Sequence, residues 1–339
     1  MRVLGYFACM NSKHAKSPCC GAQVRRFGPR RRQCVQCHHT WTIRPRKRGR
    51  PAHRMGATVL HRVLVEGFTL AQIFSKRPGV ELPAYRYRFR QALLGFVSRP
   101  APQKIPRGPL VLLADGLWFQ FNGVPWVLYL MALKPCHGDY AIFLDPLLLQ
   151  GKEGASRWQN AVAAIPPNAM RRIRAIAMDN LPGMRQLAHQ HSWVPQLCHF
   201  HLLLKLQAQR RGVRYALRGG HIRDEIHRLI RSALRLPDGR RLSRTLDHLR
   251  RLSHGNCGTQ RIQTTVREFL KNLQLYRSYL AHPHLGLPHT TNSVESMGRL
   301  LRELFRSSRA GSNPASVLLW ATAFIRMRPR VRCNGYHLN

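Results

Sequence analysis

Between residues 107 and 150 the apolar residues come in runs, not at helical spacing: PLVLLADGLWF, PWVLYLMAL and YAIFLDPLLL. Short apolar runs bounded by turn residues read as strands buried on both faces. Asn122-Gly123, between the first two runs, predicts a tight hairpin. A helix-like stretch follows from Gly154 to Ile165. RIRAIAMDN then reads as a buried strand ending in Asp179, and LPGMRQLAHQH as a helix opening with Pro near its start. VPQLCHFH reads as another short strand end. The predicted order is β-β-β-α-β-α-β and then helices, an α/β fold with a mixed sheet and helices packed on it.

Upstream the period changes. Val59, Leu60, Val63 and Leu64 share one helical stripe that Gly67 ends, and Thr69 caps a short helix running to Ser75. After the Pro78-Gly79 break, Leu82-Pro83 opens a third helix, with Tyr85, Phe89, Leu93 and Phe96 at intervals of about four residues. Arg86, Arg88 and Arg90 stand near another of its faces. A three-helix unit over residues 56–100 with a basic third helix suits major-groove docking by a helix-turn-helix; a plain helical bundle is the other reading. In the basic segment before it, residues 46–55, Arg48-Gly49-Arg50-Pro51 has the make-up of a minor-groove hook. The glycine lets the backbone lie on the groove floor while Arg48 and Arg50 enter its negative potential. A solvated basic linker is equally compatible, and either way a domain boundary falls here.

Residues 17–43 hold Cys19, Cys20, Cys34 and Cys37. A C-x-x-C knuckle with a second sulfur pair upstream, and short strands between, is the layout of a zinc ribbon over residues 1–45. Ser17 stands where such a ribbon usually has its first Cys, so the fourth ligand is left open among Cys19, His14, His38 and His39. Arg25, Arg26 and Arg30 to Arg32 crowd the loop and suit DNA contact. Free buried cysteines, without metal, are the alternative.

Charge narrows the class of partner. The 339 residues carry 56 Lys+Arg against 14 Asp+Glu, a formal net charge of +42. A chain with that imbalance works on a polyanion. With 44% hydrophobic residues it also has the material for a buried core, which excludes a wholly disordered basic tail. The longest apolar runs, such as 124–133 and 317–325, are about half of the roughly 20 residues of a membrane span. No signal-peptide cleavage site is evident near the start. Nine cysteines, an odd and uneven set, argue for reduced thiols with a metal site, not a disulfide framework. The expected setting is cytoplasmic, associated with the nucleoid.

Because acids are scarce, each bears on chemistry. Asp115 and Asp179 both follow apolar stretches, where an unpaired carboxylate is costly to bury. Neighbouring strands bring such groups side by side, and the repulsion is relieved by a divalent ion such as Mg²⁺, which takes oxygen ligands. Simpler readings stand beside this one: Asp115-Gly116 as a tight turn, and Asp179 or Asn180 as a helix cap. Glu295 lies on a helix whose apolar stripe is Val294, Met297, Leu301 and Leu304, with Arg299, Arg302 and Arg306 on a neighbouring face. Asn292 and Glu295 also match a capping box.

Taken in order, ADGLWF, AMDN with LPGMRQLA, LCHFH, and TTNSVES with WATAFIRMRP resemble a bacterial insertion-sequence DDE transposase of the Mutator-like group. The resemblance covers roughly residues 107–330. It implies a ribonuclease H-like catalytic domain interrupted by a helical insertion at about 203–288, with residues 331–339 as a tail. It implies Asp115, Asp179 and Glu295 as catalytic residues holding two Mg²⁺ (or Mn²⁺) ions. Cys198 and His201 fall on the group's C-x-x-H signature, in a role supporting the active site or the DNA end; core packing of a small thiol and a hydrogen-bonded His is the other reading. The implied activity is cleavage at transposon terminal inverted repeats followed by strand transfer. The amino-terminal modules would recognise the ends, and a dimer or larger assembly would form on double-stranded DNA. Two rivals remain at this stage, a non-catalytic sequence-specific DNA-binding protein and a ribonuclease H-like nuclease without strand transfer.

Overall fold

The computed structural model describes residues 16–28, 31–42, 56–74, 82–102, 104–210, 220–254, 260–308 and 310–333. The segment with Arg48 and Arg50, and His14, lie outside them. The chain divides into two compact units, Met1–Arg54 and Met55–Asn339. In the first, β1 (Val24–Arg26), β2 (Arg31–Cys34) and β3 (Thr40–Thr42) form an antiparallel sheet in the order β1-β2-β3.

The second unit is built on a seven-stranded mixed sheet. Its strands are β4 (Leu110–Phe121), β5 (Val124–Pro135), β6 (Tyr140–Phe143), β7 (Leu147–Gln150), β8 (Ile173–Met178), β9 (Val194–Leu197) and β10 (Arg330–Arg332). They run in the order β10-β6-β5-β4-β8-β9, with β7 also paired to β5. β4 and β5 form one long hairpin, in register from Phe121↔Val124 to Leu110↔Pro135. Its turn places Asn122 at φ 50° and Gly123 at φ 78°, the left-handed pair that suits the twist of the strands. β4, β8 and β9 are parallel neighbours.

Three details of the strand reading change. Asp115-Gly116 is not a turn: both residues sit inside the ladder, opposite Leu130 and Tyr129. The YAIFLDPLLL run is two strands, since the backbone leaves the ladder over Leu144-Asp145-Pro146, where proline has no N–H to pair. VPQLCHFH is a strand only as far as Leu197; a helix starts at His199.

Helices cover both faces. On one, α4 (Ala155–Ala163), α5 (Pro167–Met170) and α6 (Pro182–Gln190) pack Trp158, Ala161, Met184 and Leu187 against Leu112, Tyr129 and Met131. This core runs on into α7 (His199–Arg210), α8 (Gly220–Arg235), α9 (Arg240–His254), α10 (Gln260–Lys271) and α11 (Leu273–Tyr276), while Tyr279 of α12 (Ser278–Ala281) packs against the core on the other face. On the other face, α13 (Asn292–Ser308) and α14 (Pro314–Met327) cover Val111, Leu113, Leu117, Leu128 and Leu130. The amino-terminal helices α1 (Ala57–Leu64), α2 (Leu70–Phe74) and α3 (Leu82–Val97) belong to this same compact unit. Leu60, Val63, Phe89 and Leu93 join the core on the α13–α14 side, with Phe89 5.2 Å from Trp320, ring centre to ring centre. Thr69 opens α2 through a reciprocal cap: its backbone N–H donates to Gln72 Oε1 (2.8 Å) and its Oγ1 accepts from the Gln72 N–H (3.2 Å). Among the described residues no helix is long and apolar enough to cross a membrane.

Candidate metal-dependent active site

Strand alternation and register put the acids together. Along β4, Val111, Leu113 and Leu117 face α13, so Asp115 faces α13 as well. Leu113 pairs with Ala177 on parallel β8, which brings Asp115 level with Asp179, one residue beyond that strand. Met178 pairs in turn with Leu197, which sets Cys198 level with Asp179. Three consecutive strands thus bring Asp115, Asp179 and Cys198 level with one another, Asp115 midway along β4 and the other two just past the carboxyl ends of β8 and β9. His201 follows in the first turn of α7, and Glu295 reaches it from the first turn of α13.

His201 is the hub. Its Nδ1 lies against Asp179 Oδ1 and 3.2 Å from Glu295 Oε1. Ligand atoms of Asp115, Asp179 and His201 all lie within 4.8 Å of one another, as do those of Cys198, His201 and Glu295. Glu295 Oε1 also accepts the Thr291 hydroxyl at 2.7 Å. Thr291 stands immediately before α13, and its bond to Glu295 is between side chains, not the capping box that Asn292 and Glu295 suggested.

The electrostatics follow from burial. Burial pushes the Asp115 carboxyl up to about 7; His201 counters this, while Asp179 and Glu295 add to it. Burial raises Glu295 too, against the pull of His201 and the Thr291 hydrogen bond. For His201, burial opposes the charged form, but the Asp179 carboxylate and the Cys198 thiol outweigh it and hold the imidazolium up to about 11. His201 Nδ1 and Asp179 Oδ1 touch without the geometry of a good hydrogen bond, so each still needs a better partner. Such a donor set fits a divalent ion: the oxygens suit Mg²⁺ or Mn²⁺, and the charge relieves their mutual repulsion.

A fourth carboxylate, which the sequence reading passed over, borders the site. Glu153, in the Gly-Lys-Glu-Gly loop between β7 and α4, accepts the indole N–H of buried Trp158 (2.8 Å) and of half-exposed Trp118 (3.2 Å). Burial raises its pKa, against those two indole donors, and Asp179 adds to the rise. A Cβ at Gly116 would stand 2.9 Å from Glu153 Oε1, so glycine beside Asp115 makes room for this carboxylate. The scarcity of acids was the signal that should have drawn attention to Glu153.

In the amino-terminal unit four thiols converge. Cys19 Sγ lies 3.1 Å from Cys37 Sγ, and Cys20 Sγ 3.2 Å from Cys34 Sγ. Both members of the Cys19-Cys20 pair join the cluster, and Ser17 Oγ lies 3.4 Å from each sulfur. His38 and His39 are not in it. The Cys37 backbone N–H leads in lowering the Cys34 thiol to about 5, while the neighbouring Cys19 thiol leads in pushing the Cys37 thiol up to about 12. Four crowded sulfurs of this kind could hold a zinc ion.

The basic residues scatter. Arg86, Arg88 and Arg90 are exposed on α3. Arg86 and Arg90 line a cleft of about 600 Å³ between α2, α3 and the α13–α14 corner. Arg299, Arg302 and Arg306 are exposed on α13, and Arg299 pairs with Glu303 at 3.2 Å.

No protein-family description matches the chain, and no curated protein matches it in sequence. One solved structure it matches is the cryo-EM structure of a simian T-cell lymphotropic virus intasome in complex with PP2A regulatory subunit B56 gamma. A chain there aligns at 14% identity and a TM-score of 0.21, over 57% of this chain and 73% of that one. At that level of likeness neither site nor activity transfers.

Proposed function

We propose that the chain is a DNA transposase of the DDE type, with Asp115, Asp179 and Glu295 as its metal-holding carboxylates. The reading is carried by one observation. Three of only 14 acidic residues in a chain of net charge +42, far apart in sequence, are gathered round His201: Asp115 and Asp179 cluster with it, and Glu295 lies 3.2 Å from its Nδ1. A general phosphate-binding surface would use cations alone; buried carboxylates facing a polyanion make sense when divalent ions stand between them. Bound there, Mg²⁺ or Mn²⁺ would activate the attacking oxygen and neutralise charge on the leaving one.

The chain's own residues have separate parts. Asp115 and Asp179, fixed by strand register, hold the ions from the sheet side. Glu295 closes the set from α13, steadied by Thr291. His201, beside Asp179 and Glu295, would offset the repulsion between the carboxylates and would give way where a divalent ion binds. The four amino-terminal thiols hold a structural zinc, and that unit with α1–α3 recognises the terminal inverted repeats. The helices between α7 and α12 contribute arginines to DNA phosphates. Two or more copies assemble on paired ends.

The test is incubation of the purified protein with DNA carrying the ends of its own element and Mg²⁺, with nicking and joining read on sequencing gels. Asp115→Asn, Asp179→Asn and Glu295→Gln should each lower cleavage by at least about 10²-fold and leave end binding intact. Cleavage without joining would instead make it a nuclease. Binding without cleavage in the parent protein would make it a regulator.

A further inference from the structure

We propose that Cys198, His201 and Glu295 form a site for a thiophilic divalent metal, Zn²⁺ above all, distinct in chemistry from an all-oxygen Mg²⁺ site. The geometry carries it. Cys198 Sγ lies 3.6 Å from Glu295 Oε1, and His201 Nδ1 3.2 Å from the same oxygen. Bonds of about 2.0–2.3 Å at tetrahedral angles put neighbouring zinc ligands roughly 3.3–3.7 Å apart. Two edges of one face of a zinc tetrahedron are therefore already in place, and the three atoms all lie within 4.8 Å of one another. Cys-x-x-His alone, at the β9–α7 junction, is half of such a site, and α13 brings the missing ligand from 97 residues away.

The surroundings hold each ligand in place. Cys198 is 2% exposed, and its sulfur accepts the Thr291 backbone N–H at 3.3 Å, with the Thr291 hydroxyl 3.2 Å away. The same hydroxyl steadies Glu295 Oε1, so one residue fixes two ligands. Outer hydrogen bonds of this kind orient ligands and strengthen metal binding. The fourth position opens toward Asp179, whose side chain is 42% exposed, or toward water. Sulfur and imidazole are poor donors to Mg²⁺ and good ones to Zn²⁺. Binding releases the Cys198 thiol proton and the His201 Nδ1 proton to solvent, and the metal takes their place.

The metal site does not depend on the DNA-cleaving reading. Its consequence for activity does: zinc engaging Glu295 withdraws that carboxylate from the Mg²⁺ set, so Zn²⁺ inhibits Mg²⁺-dependent cleavage.

The test uses the full chain, loaded with Zn²⁺ and desalted, with metal content measured. A parallel sample loaded with Co²⁺ is read for thiolate-to-cobalt charge-transfer absorption. Cys198→Ser, close in size, should lose one equivalent of zinc per chain and part of the cobalt–thiolate band. Glu295→Gln should lose the same equivalent while keeping its fold by circular dichroism. The pair Cys34→Ser with Cys37→Ser should remove only the amino-terminal equivalent. Unchanged zinc content and an unchanged band in Cys198→Ser overturn the site. Should the site hold and the protein cut DNA, Cys198→Ser should also relieve zinc inhibition. A protein that never cuts DNA leaves the metal result standing and removes only the transposase reading.

Discussion

Asp115 is held protonated by burial at a pH where an ordinary aspartate is charged. Its folded pKa, pushed up to about 7 by burial, lies well above that of an ordinary aspartate. Stability from this group is therefore full below the unfolded pKa and is lost as pH rises through about 7. In chelator, the protein should melt at a lower temperature near about pH 8 than near about pH 5, and Asp115→Asn should flatten that difference. Calorimetry across pH checks it. Divalent ions reverse the trend, because they need the ionised form, so their affinity should climb over the same window. The scarcity of acids drew attention to Asp115, Asp179 and Glu295, whereas Cys198 and His201 entered only through the family resemblance. Neither gave any sign that His201 would lie between the carboxylates, because that depends on where a helix three residues past a strand aims its ring. Gly116 and Glu153 were equally hidden, being neighbours only once β7 has folded back on β5. Gly116→Ala should cost about 1–3 kcal/mol, and in combination with Glu153→Ala clearly less than the sum of the two. Denaturant unfolding of the two single variants and the double variant measures it.

At the scale of elements, the strands were legible because apolar runs and the Asn122-Gly123 turn leave few alternatives. The break at Asp145-Pro146 was not, because Asp145 has a distant partner. Arg326 on α14 grips both carboxylate oxygens of Asp145, at 2.9 and 2.5 Å, and donates to the carbonyls of Val97 and Arg99 at 2.7 and 2.6 Å. One guanidinium thus ties the bend between β6 and β7 to the end of α3. Arg326 is 8% exposed and Asp145 37%, so the pair is partly solvated. Arg326→Ala should destabilise by about 2–3 kcal/mol, below the full loss of a wholly buried pair. Arg326→Lys should recover little of it, since an ammonium cannot form the fork. Thermal melts rank the three proteins, and proteolysis near residue 99 should accelerate with the loss.

Across the whole molecule, charge sets behaviour toward DNA. With a net charge of +42, affinity for any duplex should fall steeply, and linearly on a log–log scale, as salt rises. The active-site variants should keep the slope of the parent, and filter binding at several salt concentrations reads it. Composition alone carries this expectation of a polyanionic partner. It did not reveal that α1–α3 share a core with the sheet, because an amphipathic stripe does not name what it packs on. The natural cut between units falls at Arg54, not after α3. A fragment starting at Met55 should stay folded and lose end specificity, whereas one starting after residue 98 exposes Trp320 and the α14 face and should aggregate. Gel filtration and footprinting separate these outcomes. The placement of α13 also sets a timetable for synthesis. Asp115 and Asp179 leave the ribosome more than a hundred residues ahead of Glu295, and the same helix that supplies the glutamate covers the bare underside of the sheet. A nascent chain can therefore neither finish burying that surface nor bring Glu295 up to His201 until translation has passed the whole run of intervening helices.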